Sequence, residues 1–212
     1  MSFLRSLFNL FKSLDQSSRT RDLQNLQKQL FDQAMAFYNV GNYVKSNEVF
    51  LLLTQLKPDY ADAYVFLGAS YGILGNFNDA IKVSKQALRL DPNCYGAYRN
   101  IASAALAMGN FEEALEAGMQ AVEINQQEVG SYAVIAESFL QLGQPKEAAE
   151  AAEIAIRIKS DYAEAYLTLG TAYLDLNRDQ EAIKAFEQAI RLNPDNPLAQ
   201  MSLEMAKIKA NS

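Results

Sequence analysis

The chain has no histidine and one cysteine, Cys94, in 212 residues. It therefore lacks the imidazoles and paired thiolates from which zinc sites, disulfide frameworks and histidine-based acid–base catalysis are built. Basic residues are in deficit, 19 Lys and Arg against 25 Asp and Glu, for a net charge of −6. Phosphate neutralisation is then a poor driving force, and nucleic acid is not an expected partner. No apolar run approaches the ~20 residues of a membrane-spanning helix, and no glycine-rich loop is followed by Lys-Ser or Lys-Thr to cradle a phosphate. Half of the residues are nonetheless hydrophobic, enough to bury a sizeable core. A folded cytoplasmic protein without cofactor or metal is expected.

What is present is a period. The stretch LGNFNDA at 74–80 is echoed by MGNFEEA at 108–114, and Gly41, Gly75, Gly109, Gly143 and Asn177 stand 34 residues apart. A recurrence of that length marks a repeat architecture. Five units follow, 27–60, 61–94, 95–128, 129–162 and 163–196, with Pro58, Pro92 and Pro194 at position 32 of theirs. Position 4 is Leu30, Tyr64, Tyr98, Tyr132 and Tyr166, and position 8 is Ala34, Gly68, Ala102, Ala136 and Gly170. With positions 7 and 11 they form a stripe at three-and-four spacing, which predicts a first helix, A. Alanine-rich positions 20 and 27 mark a second, B. Gly or Asn at position 15 supplies the positive φ that ends helix A. No single hairpin buries both of its faces, so the units must stack and the ends need caps. Residues 197–212 are expected as a C-terminal capping helix and tail.

These columns resemble the tetratricopeptide repeat family: a large residue at 4, Leu-Gly at 7 and 8, Tyr at 11, Ala at 20 and 27, Pro at 32. AYVFLGASYGILGNFNDAIKVSKQALRLDP and AYLTLGTAYLDLNRDQEAIKAFEQAIRLNP match nearly throughout. Position 24 departs, being Ser84, Gly118 and Ala152 in the middle units. Unit one is the most degenerate, with Gln33 and Ser46 in columns that are usually apolar or small, and is expected to dock loosely. The resemblance implies an all-α, right-handed superhelix of antiparallel helix pairs whose concave face, made by the A helices, holds a partner peptide or helix. On that face the register places Phe31, Met35, Tyr38, Val65, Phe66, Ile73, Arg99, Asn100, Leu106, Val134, Leu140, Leu167 and Leu174. Most are apolar, which implies a greasy groove. Family members that hold the acidic C-terminus of heat-shock chaperones use a Lys, Asn and Arg clamp. Here Phe31, Met35, Val65 and Ala69 stand at positions 5 and 9 of the first two units, so that clamp is missing. Arg99 and Asn100 are the adjacent donor pair that remains to fix a backbone or carboxylate.

Ahead of the repeats, residues 1–16 read as an amphipathic helix. Phe3, Leu4, Leu7, Phe8, Phe11 and Leu14 fall on one side and Arg5 and Lys12 opposite. Such a segment suits a membrane surface, the chain's own groove or another copy. It also has the serine-rich, acid-poor character of a targeting segment, or simply caps the first repeat. Residues 17–26 are expected as a hinge. For catalysis there is no candidate. Glu112, Glu113, Asp179 and Glu181 fall at starts of B helices, where acids favour the helix dipole, and Cys94 has no histidine to activate it. A non-catalytic scaffold, adaptor or assembly factor is expected, with a chaperone-like shield for a hydrophobic client as the alternative.

Overall fold

A computed structural model describes residues 16–211; among them the regular structure is eleven helices and no strand. They are α1 (Gln16–Asn39), α2 (Tyr43–Leu56), α3 (Ala61–Ile73), α4 (Phe77–Leu90), α5 (Tyr95–Ala107), α6 (Phe111–Ile124), α7 (Val129–Gln141), α8 (Pro145–Ile158), α9 (Ala163–Asp175), α10 (Asp179–Leu192) and α11 (Pro197–Ala210). From α3 onward the odd-numbered helices start at 61, 95, 129, 163 and 197, so the step in the sequence is the step in space. Each odd helix from α1 to α9 pairs antiparallel with the even helix after it. Contacts run from each helix to the next and, from α3 on, between successive odd helices. The result is a solenoid whose odd helices share one face.

The hairpin turns repeat because one residue in each is left-handed. Gly41, Gly75, Gly109, Gly143 and Asn177 have φ between 57° and 78°. After Gly75, for example, Asn76 N–H donates to Tyr71 O at 2.9 Å while Gly75 N–H donates to Gly72 O at 3.1 Å. This six-to-one, five-to-two pairing satisfies carbonyls that the helix end leaves free. Pro145 and Pro197 open α8 and α11, where a missing amide donor costs nothing.

Small residues set the distance between helices. A Cβ on Gly170 would lie 2.5 Å from the Phe186 ring, and one on Gly118 would lie 2.8 Å from Ile135. At Gly118, therefore, the small residue at position 24 is filled by Ile135 of the following unit. The first unit is tightly packed, contrary to the expectation from Gln33 and Ser46. Ser46 is fully buried, and its hydroxyl donates to Ala34 O at 3.1 Å. Phe50 and Phe66 stack at 5.7 Å, with Phe31 edge-on to both. Gln33 is exposed and lies outside this packing.

The expected hinge over 17–26 is instead helical, the first turns of an unbroken α1. No Gly or Pro interrupts it. Leu23 and Leu26 carry the apolar stripe back from Leu30, and Leu26 packs against the core formed by Leu30, Phe50 and Leu67. The amphipathic segment, with Phe3, Leu4, Leu7, Phe8, Phe11 and Leu14, lies outside the described residues. Among the described residues no helix is long and apolar enough to cross a membrane, and no cluster of ligands could hold a metal.

Candidate functional site

The odd helices bring together only some of the side chains that the register places on the concave face. Val65 and Val134 are 9% and 7% exposed and belong to the core. Leu106, Leu140, Leu167 and Leu174 are half-buried against the clusters beneath them, as are Phe31, Met35 and Phe66. Ile73 is open, at 53% exposure. The face is therefore less greasy than its sequence register suggests, because most of its leucines and phenylalanines are turned partly into the stack.

A cleft of about 390 Å³ crosses α1, α3 and α5. It is lined by the small residues Gly68, Ala69, Gly72 and Ala104 and by Tyr38, Ile73, Phe77, Arg99, Asn100 and Ser103. Tyr38, Ile73, Arg99 and Asn100 are residues the register nominates. The glycines, Ala69, Phe77, Ser103 and Ala104 are not, since a cleft is made by what is small as much as by what is large. The signal was available: Ala69 and Ser103 occupy position 9, and Gly72 position 12, of the same register.

Asn100 is buried, and its side-chain amide donates to Val65 O at 2.8 Å, joining α5 to α3. Gly68 makes this possible, since a Cβ there would stand 3.2 Å from Asn100 Nδ2 and 2.5 Å from Ser84 Oγ. One amide hydrogen of Asn100 is thus committed to the fold. The Arg99 guanidinium is more available. Its Nη1 is 3.9 Å from Glu128 Oε1, and its Nη2 donates to Asn100 Oδ1 at a long 3.5 Å. Burial pushes the Tyr38 phenol up, and the Arg99 charge opposes the shift, so at neutral pH Tyr38 keeps its O–H as a donor. Cation, phenol, amide and the Ser103 hydroxyl suit an acceptor-rich segment laid over apolar ground.

A second cleft, about 500 Å³, lies along α8 between Lys146, Ala149, Glu150, Glu153, Leu176 and Arg178. Of its two cations, Arg178 is already engaged: it stacks 4.2 Å over the Tyr173 ring and forms a two-bond ion pair with Glu181. Tyr173 O–H donates to Glu153 at 2.8 Å.

Residues 73–134 match one family model of the tetratricopeptide repeat and residues 134–197 another, together more than half of the chain. The chain is a tetratricopeptide repeat protein. Tetratricopeptide repeat (TPR) structures match along most of it. A crystal structure of MamA is 24% identical, covers 79% of this chain and 92% of its own, and has a TM-score of 0.66. TTC0263, a thermophilic TPR protein of Thermus thermophilus, is 20% identical over 86% of this chain and 99% of its own, with a TM-score of 0.67. YrrB, a TPR protein with an unusual peptide-binding site, is 18% identical over 82% and 90%, with a TM-score of 0.65. At such identities the likeness is one of fold. No protein of curated function matches the chain significantly. Its TPR repeats support a protein–protein interaction scaffold, a class of generally non-catalytic proteins.

Proposed function

We propose that this TPR protein is a non-catalytic scaffold, adaptor or assembly factor that holds a partner segment across α1, α3 and α5. The observation that carries this reading is the cleft beside Arg99: a guanidinium held by a long ion pair and one long hydrogen bond, next to Gly72, where among the described residues nothing lies within 4 Å of an added Cβ. A partner presenting an acidic side chain or C-terminal carboxylate next to small apolar groups fits it. The cleft does not reproduce the chaperone-binding clamp, since Phe31, Met35, Val65 and Ala69 cannot donate to a carboxylate. Recruitment to a membrane surface through residues 1–14, or transient chaperone-like capture on the same face, are finer versions. Vesicle flotation of the intact chain tests the first, and absence of the protein from its partner's final complex tests the second.

Gly72 provides a gentle probe of the cleft. Nothing lies within 4 Å of a Cβ placed there, so Gly72→Leu fills the cleft without disturbing the stack. Gly72 lies in the last turn of α3, so losing the glycine's backbone freedom there does not oppose folding. Affinity purification with the intact chain, with Gly72→Leu and with Arg99→Glu should show the same partners lost from both variants while helical circular dichroism is retained. Undiminished capture by both variants would remove the binding site from this cleft.

A further inference from the structure

The concave face changes character along its length. Past Arg99 its charged residues on α7 and α9 are acids, Glu137, Glu164 and Asp175, and none has a cation within ion-pair distance among the described residues. Beside them stands α11, whose Leu198, Met201, Met205 and Ile208 are 51%, 58%, 53% and 71% exposed. Their spacing of three, four and three residues makes one stripe. In the 34-residue register they occupy positions 2, 5, 9 and 12, which on earlier odd helices belong to the concave face.

This stripe is not the raw end of an unfinished stack. The residues of α11 that would meet a further B helix include Gln200, Glu204 and Lys207, all exposed and polar, while Ala199, Ser202 and Ala206 are buried. That side of α11 is polar, and the apolar row lies apart from it. Nor is α11 loosely held. Asn196 Oδ1 accepts from the N–H groups of Leu198 and Ala199. Lys209 Nζ donates to Leu174 O at 2.7 Å and Asn177 Oδ1 at 3.0 Å, and lies 3.4 Å from Asp179. A firmly seated helix that displays four large apolar side chains beside three acids without a cation calls for a basic amphipathic helix.

By sequence pattern alone, residues 1–14 read as one. Residues 1–14 hold Phe3, Leu7, Phe8 and Phe11 with Arg5 and Lys12 and no acid, which leaves −8 on the rest (−6 less +2). As a helix, 14 residues reach about 21 Å. Five steps separate α1 from α11 along the odd helices, roughly 40–50 Å at 8–10 Å each, and the two helices share no contact region. A chain's own segment, tethered at Gln16, falls short. We infer that residues 1–14 of one copy dock as a helix on the α11 stripe of a second copy, a head-to-tail contact that builds rings or open chains. The inference rests on the concave face being a docking surface, but uses the end remote from the Arg99 cleft.

Complementation of full-length chains tests it, read by sedimentation velocity across a concentration series. The intact chain should self-associate, less so as salt screens the attraction. Met201→Glu with Met205→Glu should abolish this, and so should Leu7→Glu with Phe11→Glu, while Arg99→Glu self-associates as before. Mixing the two double variants should yield a one-to-one heterodimer, since one keeps the stripe and the other the segment. A synthetic peptide of residues 1–14 should bind the Leu7→Glu, Phe11→Glu chain, with affinity about ten-fold or more weaker once the two methionines are also changed. A monomeric intact chain, no heterodimer on mixing, or peptide binding indifferent to the methionines would overturn the inference. Peptide binding lost with Arg99→Glu alone would also overturn it, by placing the segment in the cleft and leaving the proposed function standing.

Discussion

Gly170 faces the Phe186 ring so closely that any side chain there must displace the ring. Gly170→Ala should therefore cost about 1–3 kcal/mol by overpacking, seen as a lower urea midpoint, even though alanine is the better helix former; an unchanged midpoint would mean that the ring yields. Tyr173 behaves differently because its proton matters. Burial, then the hydrogen bond to Glu153, pushes its phenol up to about 12. The folded state therefore retains a proton that the unfolded chain, titrating near ~10, has lost. Stability from this group is present below about pH 10 and drains away as pH rises toward about 12. In Tyr173→Phe the fall in Tm across that window should be shallower than in the parent; parallel profiles would show that the phenol does not titrate as described. Such pairings are half legible in the sequence. A small residue in column 8 is visible, but which ring or amide approaches it is a tertiary matter, as with Asn100, whose donor turns out to serve Val65.

At the scale of the helix, the columns carry most of the message. Five copies of one stripe, each closed by Gly or Asn, locate the helices because local turn chemistry and packing demand agree. The exception is α1, where 17–26 reads as linker by composition, yet the helix runs on because Leu23 and Leu26 keep the stripe and nothing breaks it. Leu26→Asp should fray this extension, raising amide exchange over residues 21–29 and leaving α5 to α11 unchanged; uniform protection would contradict its packing role. At the other end, Asn196→Ala removes the acceptor for two amides of α11. A loss of about 1 kcal/mol, confined to α11 in hydrogen exchange, is the expected outcome. Loss spread evenly through the chain would show that α11 is not a separately capped element.

For the molecule as a whole, contacts join only near neighbours in the stack, and stability is then close to a sum of units and the interfaces between them. Unfolding by urea should depart from two-state behaviour, with amide exchange slowest in α5 to α8 and fastest in α11 and the outer turn of α1. A single coincident transition by all probes would indicate stronger coupling than the contacts provide. The concave face is legible in outline for the same reason the fold is: register fixes which positions share a side. Depth is not legible, since Val134 and Ile73 look equally apolar in sequence, yet one is 7% exposed and the other 53%. Because among the described residues the contacts join only near neighbours and no contact region joins α1 to α11, tension applied at both ends should be taken up as slight rotations at every junction before any hydrogen bond breaks. The stack should in that sense act as a spring, a load at one end reaching the other as a change of pitch.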